Sequence, residues 1–452
     1  MGNIIAEQRS FFKTNKTKNT AFRIEQLQKL KKLLTENEKL LNEAIYKDFK
    51  KSEFDCYTNE LALLYTDIKE ACKKLKSWSR IKRVRTNLIN FPAKSYIVPE
   101  PYGVSLIIGA WNYPYQLSLA PAIASIAAGN TVVLKPSEIP KNTSQVMAEL
   151  INTNFDASFF HVVEGGIPET QALLDLEFDK IFFTGSVPVG KIVYQAAAKH
   201  LTPVTLELGG KSPAIVTKSC NLKTTAKRLV WAKFLNAGQT CIAPDYVLVE
   251  QSIKETFIKQ IISEIESSKF SFDNDNYVQI INEKNMHRLL GLINHDKLIY
   301  GGNSDMQKRY FAPTIMDNIN ADDAVMQEEI FGPILPVISF TNIDEAIIFI
   351  KNRPKPLSCY LFTQNQSVKR KIAYELSFGG GAINDAIMHI TNSKLPFGGV
   401  GNSGIGSYHG KAGFNAFTHY KSIMDKPNHF EPALKYSPRT KQKLNIARRI
   451  MG

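Results

Sequence analysis

The chain has 452 residues, 44% apolar and 22% charged, with a net charge of +14. That length allows two or three domains with full cores, and the composition fits a soluble globular protein and excludes disordered or collagen-like classes. Residues 1–100 hold 21 basic against 12 acidic side chains and residues 426–452 hold seven against one, so the stretch between is close to neutral. The basic ends read as solvated surface, or as attraction to an anionic membrane or acidic partner. No nucleic-acid-reading motif accompanies them, so nucleic acid is not an expected partner.

Five scattered cysteines, Cys56, Cys72, Cys220, Cys241 and Cys359, include no C-x-x-C pair. This argues against a disulfide frame or a thiolate zinc site and for a reducing compartment, the cytoplasm. The histidines show no metal-ligand spacing, so no metal is expected. No signal peptide is expected, and Ala6 stands where a myristoylation signal needs Ser or Thr. The longest apolar zone, 104–134, is broken by Asn112, Pro114, Gln116, Pro121 and Asn130, which makes it a poor membrane span.

In chain order, residues 20–50 read as helix, with Leu27, Leu30, Leu34, Leu41 and Ile45 at three- and four-residue spacing. A basic stretch, 78–85, ends this section. Residues 95–101 read as an extended arm, because Pro99 and Pro101 forbid helix. From 103 onward strands alternate with helices. The strands are expected at 104–108, 131–134, 161–163, 180–183 and 204–206, with helices at 117–128 and 189–199. Such alternation implies parallel strands covered by helices. A second α/β section runs from about 213 to 385, with its clearest strands at 246–249 and 335–339. A glycine-rich stretch, 395–404, a strand at 417–424 and a short basic helix at 437–451 complete the chain.

Several segments carry chemistry. Residues 234–241 (Phe-Leu-Asn-Ala-Gly-Gln-Thr-Cys) end on Cys241. Residues 206–211 (Leu-Glu-Leu-Gly-Gly-Lys) set Glu207 in an otherwise apolar strand, where desolvation would lift its pKa toward that of a general base. Together a thiol nucleophile and a carboxylate suggest covalent capture of a carbonyl followed by hydrolysis. Taken singly, Cys241 also reads as a small buried hydrophobe and Glu207 as an exposed strand end. Asn112, in a loop after a buried strand, has an amide suited to an oxyanion, though turn asparagines are common. Lys135 and Glu138 follow a parallel strand, where ribose hydroxyls bind in open α/β sheets; a surface turn is the alternative. Thr184, Gly185, Ser186 and Gly190 form a strand-to-helix turn suited to a phosphate, or to structure alone. That turn is nearly a P-loop, but Ile192 replaces the Ser or Thr that ligates magnesium, which weakens a nucleotide-hydrolase reading. Residues 328–333 (Glu-Glu-Ile-Phe-Gly-Pro) and Phe397 would otherwise be loop and packing.

Taken jointly, residues 20–425 resemble the aldehyde dehydrogenase superfamily, most specifically at 206–211, 234–241, 328–333 and 395–404. Residues 134–138, 382–389 and 406–410 resemble its class 3 branch of fatty and aromatic aldehyde dehydrogenases. The resemblance implies an α/β fold with a Rossmann-like NAD(P)-binding domain at 1–80 and 102–208 and a catalytic domain at 209–386. Residues 387–409 would return to the cofactor site, and 81–101 with 410–452 would form an oligomerisation arm and tail. It implies oxidation of an aldehyde to a carboxylic acid through a thiohemiacetal and a thioester on Cys241. Glu207 would activate the hydrolytic water, and Asn112, with the Cys241 N–H, would form the oxyanion hole. Lys135 and Glu138 would lie near the adenine-side ribose, Gly185 and Ser186 near the pyrophosphate, Glu329 near the nicotinamide ribose and Phe397 near the nicotinamide. Thr184, Gly190, Leu208 and Phe331 would complete the site for NAD or NADP. A homodimer is implied, and peripheral membrane contact through the basic termini is an added expectation. An acylating enzyme that passes the thioester to coenzyme A is the nearest rival, and Glu207 argues against it.

Overall fold

A computed structural model describes residues 1–451. Two short runs build the arm, β1 (Lys82–Val84) and β2 (Lys94–Pro101). Five apolar runs then form parallel strands: β3 (Val104–Ile108), β4 (Thr131–Lys135), β5 (Phe160–Val162), β6 (Lys180–Thr184) and β7 (Val204–Glu207). β3, β4 and β6 are buried along their whole length, as strands covered on both faces must be. Helices Pro114–Ala128, Lys141–Asn154 and Val187–Ala198 supply much of the covering. Phe160 and Phe182 are fully buried, each stabilising the fold by about 1.5–3 kcal/mol relative to exposure.

The second sheet follows with β8 (Pro213–Val216), β9 (Tyr246–Glu250) and β10 (Leu298–Tyr300). A small hairpin, β11 (Ser304–Asp305) and β12 (Tyr310–Phe311), projects from it. β13 (Thr314–Met316), β14 (Ile334–Phe340), β15 (Ser358–Phe362) and β16 (Gly380–Ile383) then complete the sheet. Its order is β10-β13-β14-β9-β8-β15-β16, parallel except at the β10 edge. β17 (Gly404–Ile405) returns to the first sheet, giving the order β17-β7-β6-β3-β4-β5. β18 (Thr418–Asp425) pairs antiparallel with β2 to finish the arm.

The chain leaves β3 for β4 and β5 on one side, then comes back to β6 and β7 on the other. The strand order therefore reverses beside β3, which makes the carboxyl ends of β4, β3 and β6 the place where open α/β sheets bind ligands.

The expected helix over 20–50 is two helices, Thr20–Glu36 and Glu38–Phe49, divided at Asn37, whose side chain bonds back to the Leu33 carbonyl. The helix Gly2–Lys13 was not anticipated; Gln8 anchors it by donating to the Val132 carbonyl at 2.9 Å. The reading of the N-terminal basic excess as solvated surface fails at Arg23 and Lys51. Both are buried, Arg23 among the carbonyls of Thr17, Lys18 and Ala127.

Candidate active site

Cys241 lies in the reversal that follows helix Leu222–Phe234. Asn236 (φ 54), Ala237 (φ 52) and Gly238 (φ 73) turn the chain in left-handed conformations. At Gly238 a Cβ would lie 2.3 Å from the Gly332 carbonyl oxygen, so only glycine fits. Gln239 pins the turn: its Nε2 donates to the carbonyls of Asn236 (3.1 Å) and Gln279 (3.0 Å), and its Oε1 accepts from the Ile281 N–H (3.0 Å). The thiol of Cys241 is largely enclosed. Burial pushes its pKa up, and the neighbouring carboxylates of Glu329 and Glu207 push the same way.

Glu207 ends β7 at 3% exposure, and neither carboxylate oxygen has a hydrogen-bond partner among the described residues. Burial raises its pKa well above the usual carboxylate range. The glycine-rich return lies directly against it: Gly404 is its register partner, and the Leu208 N–H donates to the Ser403 carbonyl at 3.1 Å.

Asn112 follows β3, and its Nδ2 donates to the Gln239 carbonyl at 3.0 Å, two residues from Cys241. One of its two amide N–H groups is thereby used and the second is left for a ligand. The Asn112 carbonyl accepts from Asn236 Nδ2 (3.0 Å) and Lys51 Nζ (3.2 Å). Tyr113 shares a 2.7 Å hydrogen bond with Thr240. Thiol, carboxylate and amide, drawn from three separate segments, thus meet at one place.

The expected cofactor residues on the first sheet lie at the carboxyl ends of β4 and β6 and in the segments that follow them. Lys135 ends β4; its Nζ donates to the Pro136 carbonyl (2.7 Å), stands 3.9 Å from Glu138 and is lowered in pKa by burial. Glu138 is half-exposed and lies beside Gly166. Thr184 ends β6 with a buried hydroxyl that has no partner among the described residues. Gly185 donates its N–H to the Glu207 carbonyl at 3.0 Å. Ser186 makes no side-chain cap to helix Val187–Ala198, leaving N–H groups of that first turn open to an anion. A Cβ on Gly190 would lie 2.5 Å from Leu208, so glycine lets this helix approach the sheet. An orphaned hydroxyl, an ammonium and an open helix N-terminus at the strand switch fit the ribose and pyrophosphate of a dinucleotide.

Glu329 rests on Gly209, where a Cβ would lie 1.9 Å from its Oε2. Burial, followed by Asp245, pushes its pKa up to about 8. Phe331 takes φ 45 and meets Trp111 edge-on with ring centroids 5.3 Å apart. Phe397 is buried, with its ring stacked on His409 at 5.2 Å and its N–H donating to the Tyr408 carbonyl at 3.0 Å.

Other residues had no assigned role in the sequence. Lys211 Nζ binds Asp245 (2.5 Å) and the carbonyls of Val325 and Glu328 (2.8 Å each). Arg288 binds the Ile330 carbonyl at 2.6 Å. Together they clamp the loop that carries Glu329. Lys233 is buried with no hydrogen-bond partner among the described residues, and burial lowers its pKa to about 8. Lys51 is paired with Glu60 at 2.7 Å beneath Asn112. Lysines are ordinarily solvated, so nothing in the local pattern marks Lys51, in the link between two helices, or Lys233, in helix Leu222–Phe234, as buried.

The sequence profile of the aldehyde dehydrogenase family matches residues 2–423. The chain is 49% identical over 437 residues to the 4,4'-diaponeurosporen-aldehyde dehydrogenase of Staphylococcus aureus, covering 96% of this chain and 95% of that one. It is 44% identical over 427 residues to the dimeric NADP-preferring aldehyde dehydrogenase of Rattus norvegicus, covering 93% and 94%. A solved Staphylococcus aureus AldH in its substrate-bound state matches with a TM-score of 0.97 at 47% identity, covering 100% of this chain and 99% of that one.

Proposed function

This chain belongs to the aldehyde dehydrogenase family and is class 3-like, an oxidoreductase acting on aldehydes with NAD or NADP; from that premise we propose a hydrolytic, thioester-forming mechanism carried by Cys241, Asn112 and Glu207. The observation that carries it is the buried, partnerless carboxylate of Glu207 in electrostatic reach of the Cys241 thiol.

The thiolate of Cys241 adds to the aldehyde carbon, forming the S–C bond and moving the carbonyl pair onto oxygen. The Asn112 amide and the Cys241 N–H donate to that oxyanion; losing one such donor typically costs about 10²–10³ in rate. Lys135, Glu138, Ser186 and Glu329 would hold NAD(P), which when bound would supply the hydride acceptor needed to bring the captured carbon to the thioester level. Glu207 then takes a proton from water as the water oxygen bonds to the acyl carbon, and the C–S bond breaks to release carboxylic acid and thiolate. Burial favours the neutral thiol, so Cys241 must give its proton to a water molecule as substrate binds, and Glu207 must itself be ionised before it can take a proton from the hydrolytic water.

The test is reduced-cofactor formation with NAD and NADP across aliphatic, aromatic and long-chain aldehydes. The substrate named for the 49% identical relative, 4,4'-diaponeurosporen-aldehyde, heads the panel. Cys241→Ala is expected to abolish turnover while still binding cofactor; wild-type turnover in that variant overturns the mechanism.

The same reading gives the first sheet to the cofactor and the second to the thiol. It makes the protein a homodimer in the cytoplasm, supported by the solvent-exposed strand β18, by a relative named dimeric and by five free cysteines. A monomer in analytical ultracentrifugation contradicts the dimer. No helix among the described residues is long and apolar enough to cross a membrane. Peripheral contact is supported by the exposed terminal helix Lys441–Met451, which carries Leu444, Ile446 and Ile450 beside Arg448 and Arg449. Failure to float with anionic liposomes counts against it.

A further inference from the structure

Beneath Asn112 lies an ion pair that the mechanism does not use. Lys51 and Glu60 are 1% and 0% exposed, and Lys51 Nζ stands 2.7 Å from Glu60 Oε1. Neither charge reaches solvent, so each depends on the other. Glu60 is brought inward by a widened π-helical turn, Tyr57–Leu61, a distortion that recurs at functional sites.

Both partners are spent on the backbone that carries Asn112. Lys51 donates a second bond, at 3.2 Å, to the Asn112 carbonyl, and its ammonium lies 4.2 Å from the centre of the Tyr113 ring. The second oxygen of Glu60 accepts from the N–H groups of Tyr115 (2.8 Å) and Gln116 (3.3 Å). These belong to the first turn of helix Pro114–Ala128, whose own N-cap residue, Tyr113, makes no side-chain cap. The pair therefore holds the peptide of Asn112 from one side and caps the following helix from the other. Asn112 is also tied to the loop of Cys241: Asn236 Nδ2 donates to the same carbonyl oxygen that Lys51 binds, and the Asn112 amide donates to the Gln239 carbonyl.

We infer that Lys51 and Glu60 are positioning residues that set the Asn112 amide against the Cys241 thiol, and so fix the oxyanion hole. This rests on the proposed role of Asn112. Stability alone does not require such a pair, since a buried ion pair can often be replaced by apolar groups at little cost in stability. A donor must meet the oxyanion within a few tenths of an ångström; the bonds with Asn236 and Gln239 tie Asn112 only to the Cys241 loop, and Lys51 and Glu60 add an anchor independent of that loop.

The test uses the double variant Lys51→Met/Glu60→Leu, which leaves no uncompensated charge. Its melting temperature, kcat/KM for aldehyde and cofactor KM are measured, and the pair is removed again in Asn112→Ala. The expected result is a lower melting temperature, because the N–H groups of Tyr115 and Gln116 lose their acceptor, with an unchanged cofactor KM and, at a temperature where the variant is fully folded, a kcat/KM lower by roughly 10- to 100-fold, part of the loss of a whole donor. In Asn112→Ala the same replacement has no further effect, because there is no amide left to position. Wild-type kcat/KM in the double variant, or a full additional loss on top of Asn112→Ala, overturns the inference. Should the double variant not fold, Lys51→Met/Glu60→Gln, which keeps an acceptor for the helix N–H groups and leaves no unpaired charge, is read by the same two criteria. Absence of aldehyde oxidation in the wild type would instead remove the proposed mechanism itself, which separates the two failures.

Discussion

Replacing Glu207 by Gln isolates the base without changing the shape of the site. In the resting enzyme burial holds the Glu207 carboxyl toward its neutral form, so a neutral amide of equal size replaces a group already partnerless. Folding should therefore change little below pH 4.5, where the unfolded carboxyl is neutral as well. With a folded pKa raised above its unfolded value, Glu207 costs the wild type stability as pH rises, and the variant should gain relative stability in alkaline buffer. Catalysis should split. Thiol addition and hydride loss need Asn112 and Cys241, which remain, so one equivalent of reduced cofactor should appear in a burst. Water activation is lost, and a positioned general base is worth about 10²–10⁴-fold, so the steady-state rate should fall by that factor, about 3–5 kcal/mol of barrier. Rapid-mixing absorbance of the reduced cofactor reads both phases, and mass spectrometry of quenched enzyme should find the acyl group on Cys241. Hydroxylamine, which attacks thioesters without a base, should restore turnover. If Glu207 is the base, kcat of the wild type should rise with pH as its carboxyl ionises, and that rise should be absent in the variant. A variant with no burst and a steady-state rate within a few-fold of wild type would refute the assignment.

Three further perturbations test the surroundings. Glu329, with a pKa pushed from 4.5 to about 8, favours the fold when protonated and loses that contribution as pH climbs through this window; Glu329→Gln should melt higher than wild type in alkaline buffer and equally in acid, and an equal difference at both would be inconsistent with the shift. Gly209→Ala sets a Cβ 1.9 Å from Glu329 Oε2, the end of a side chain that can swing away; calorimetry should find weaker cofactor binding with little loss of stability, and unchanged affinity would show that the resting place of Glu329 does not matter. Gly238→Ala meets backbone instead, with the Gly332 carbonyl 2.3 Å away and φ at +73; strain of about 1–3 kcal/mol or more should lower the melting temperature and remove activity, and a fully active, equally stable variant would contradict the geometry.

The first sheet was legible because its strands are apolar runs bounded by glycine, proline and asparagine, and each expected strand lies within about one residue of the observed one. Glu207 was legible for a related reason: a carboxylate at the end of an apolar strand beside Gly209 and Gly210 has few structural uses. Asn37 was misread because the leucine spacing continues across it, and periodicity does not report a helix break that keeps the same face buried. Lys51 and Glu60 were hidden altogether. Their burial follows from where helix Pro114–Ala128 packs, a contact between segments some 60 residues apart in sequence. Local pattern carries no trace of a partner that distant, and the long lysine side chain is otherwise the usual mark of a solvated surface.

On the proposed mechanism, the site makes opposite demands on Cys241 and Glu207. A dry enclosure strengthens the donors around an oxyanion, yet it also holds Cys241 and Glu207 in their neutral, unreactive forms. A lone buried cation beside the thiol would ease the first difficulty but would draw Glu207 into its anionic form and bind it, removing the base. The arrangement avoids that. Lys51 comes with Glu60 already in contact, so the pair adds fixed hydrogen bonds with almost no net charge. Lys211 is likewise matched by Asp245 at the Glu329 loop. Lys233 is the exception, an ammonium with no hydrogen bond among the described residues, and Asp245 is its foremost counter-charge. Rigid geometry is thus supplied by neutralised pairs, while the two ionisations that drive the reaction are left to the substrate, the cofactor and the pH.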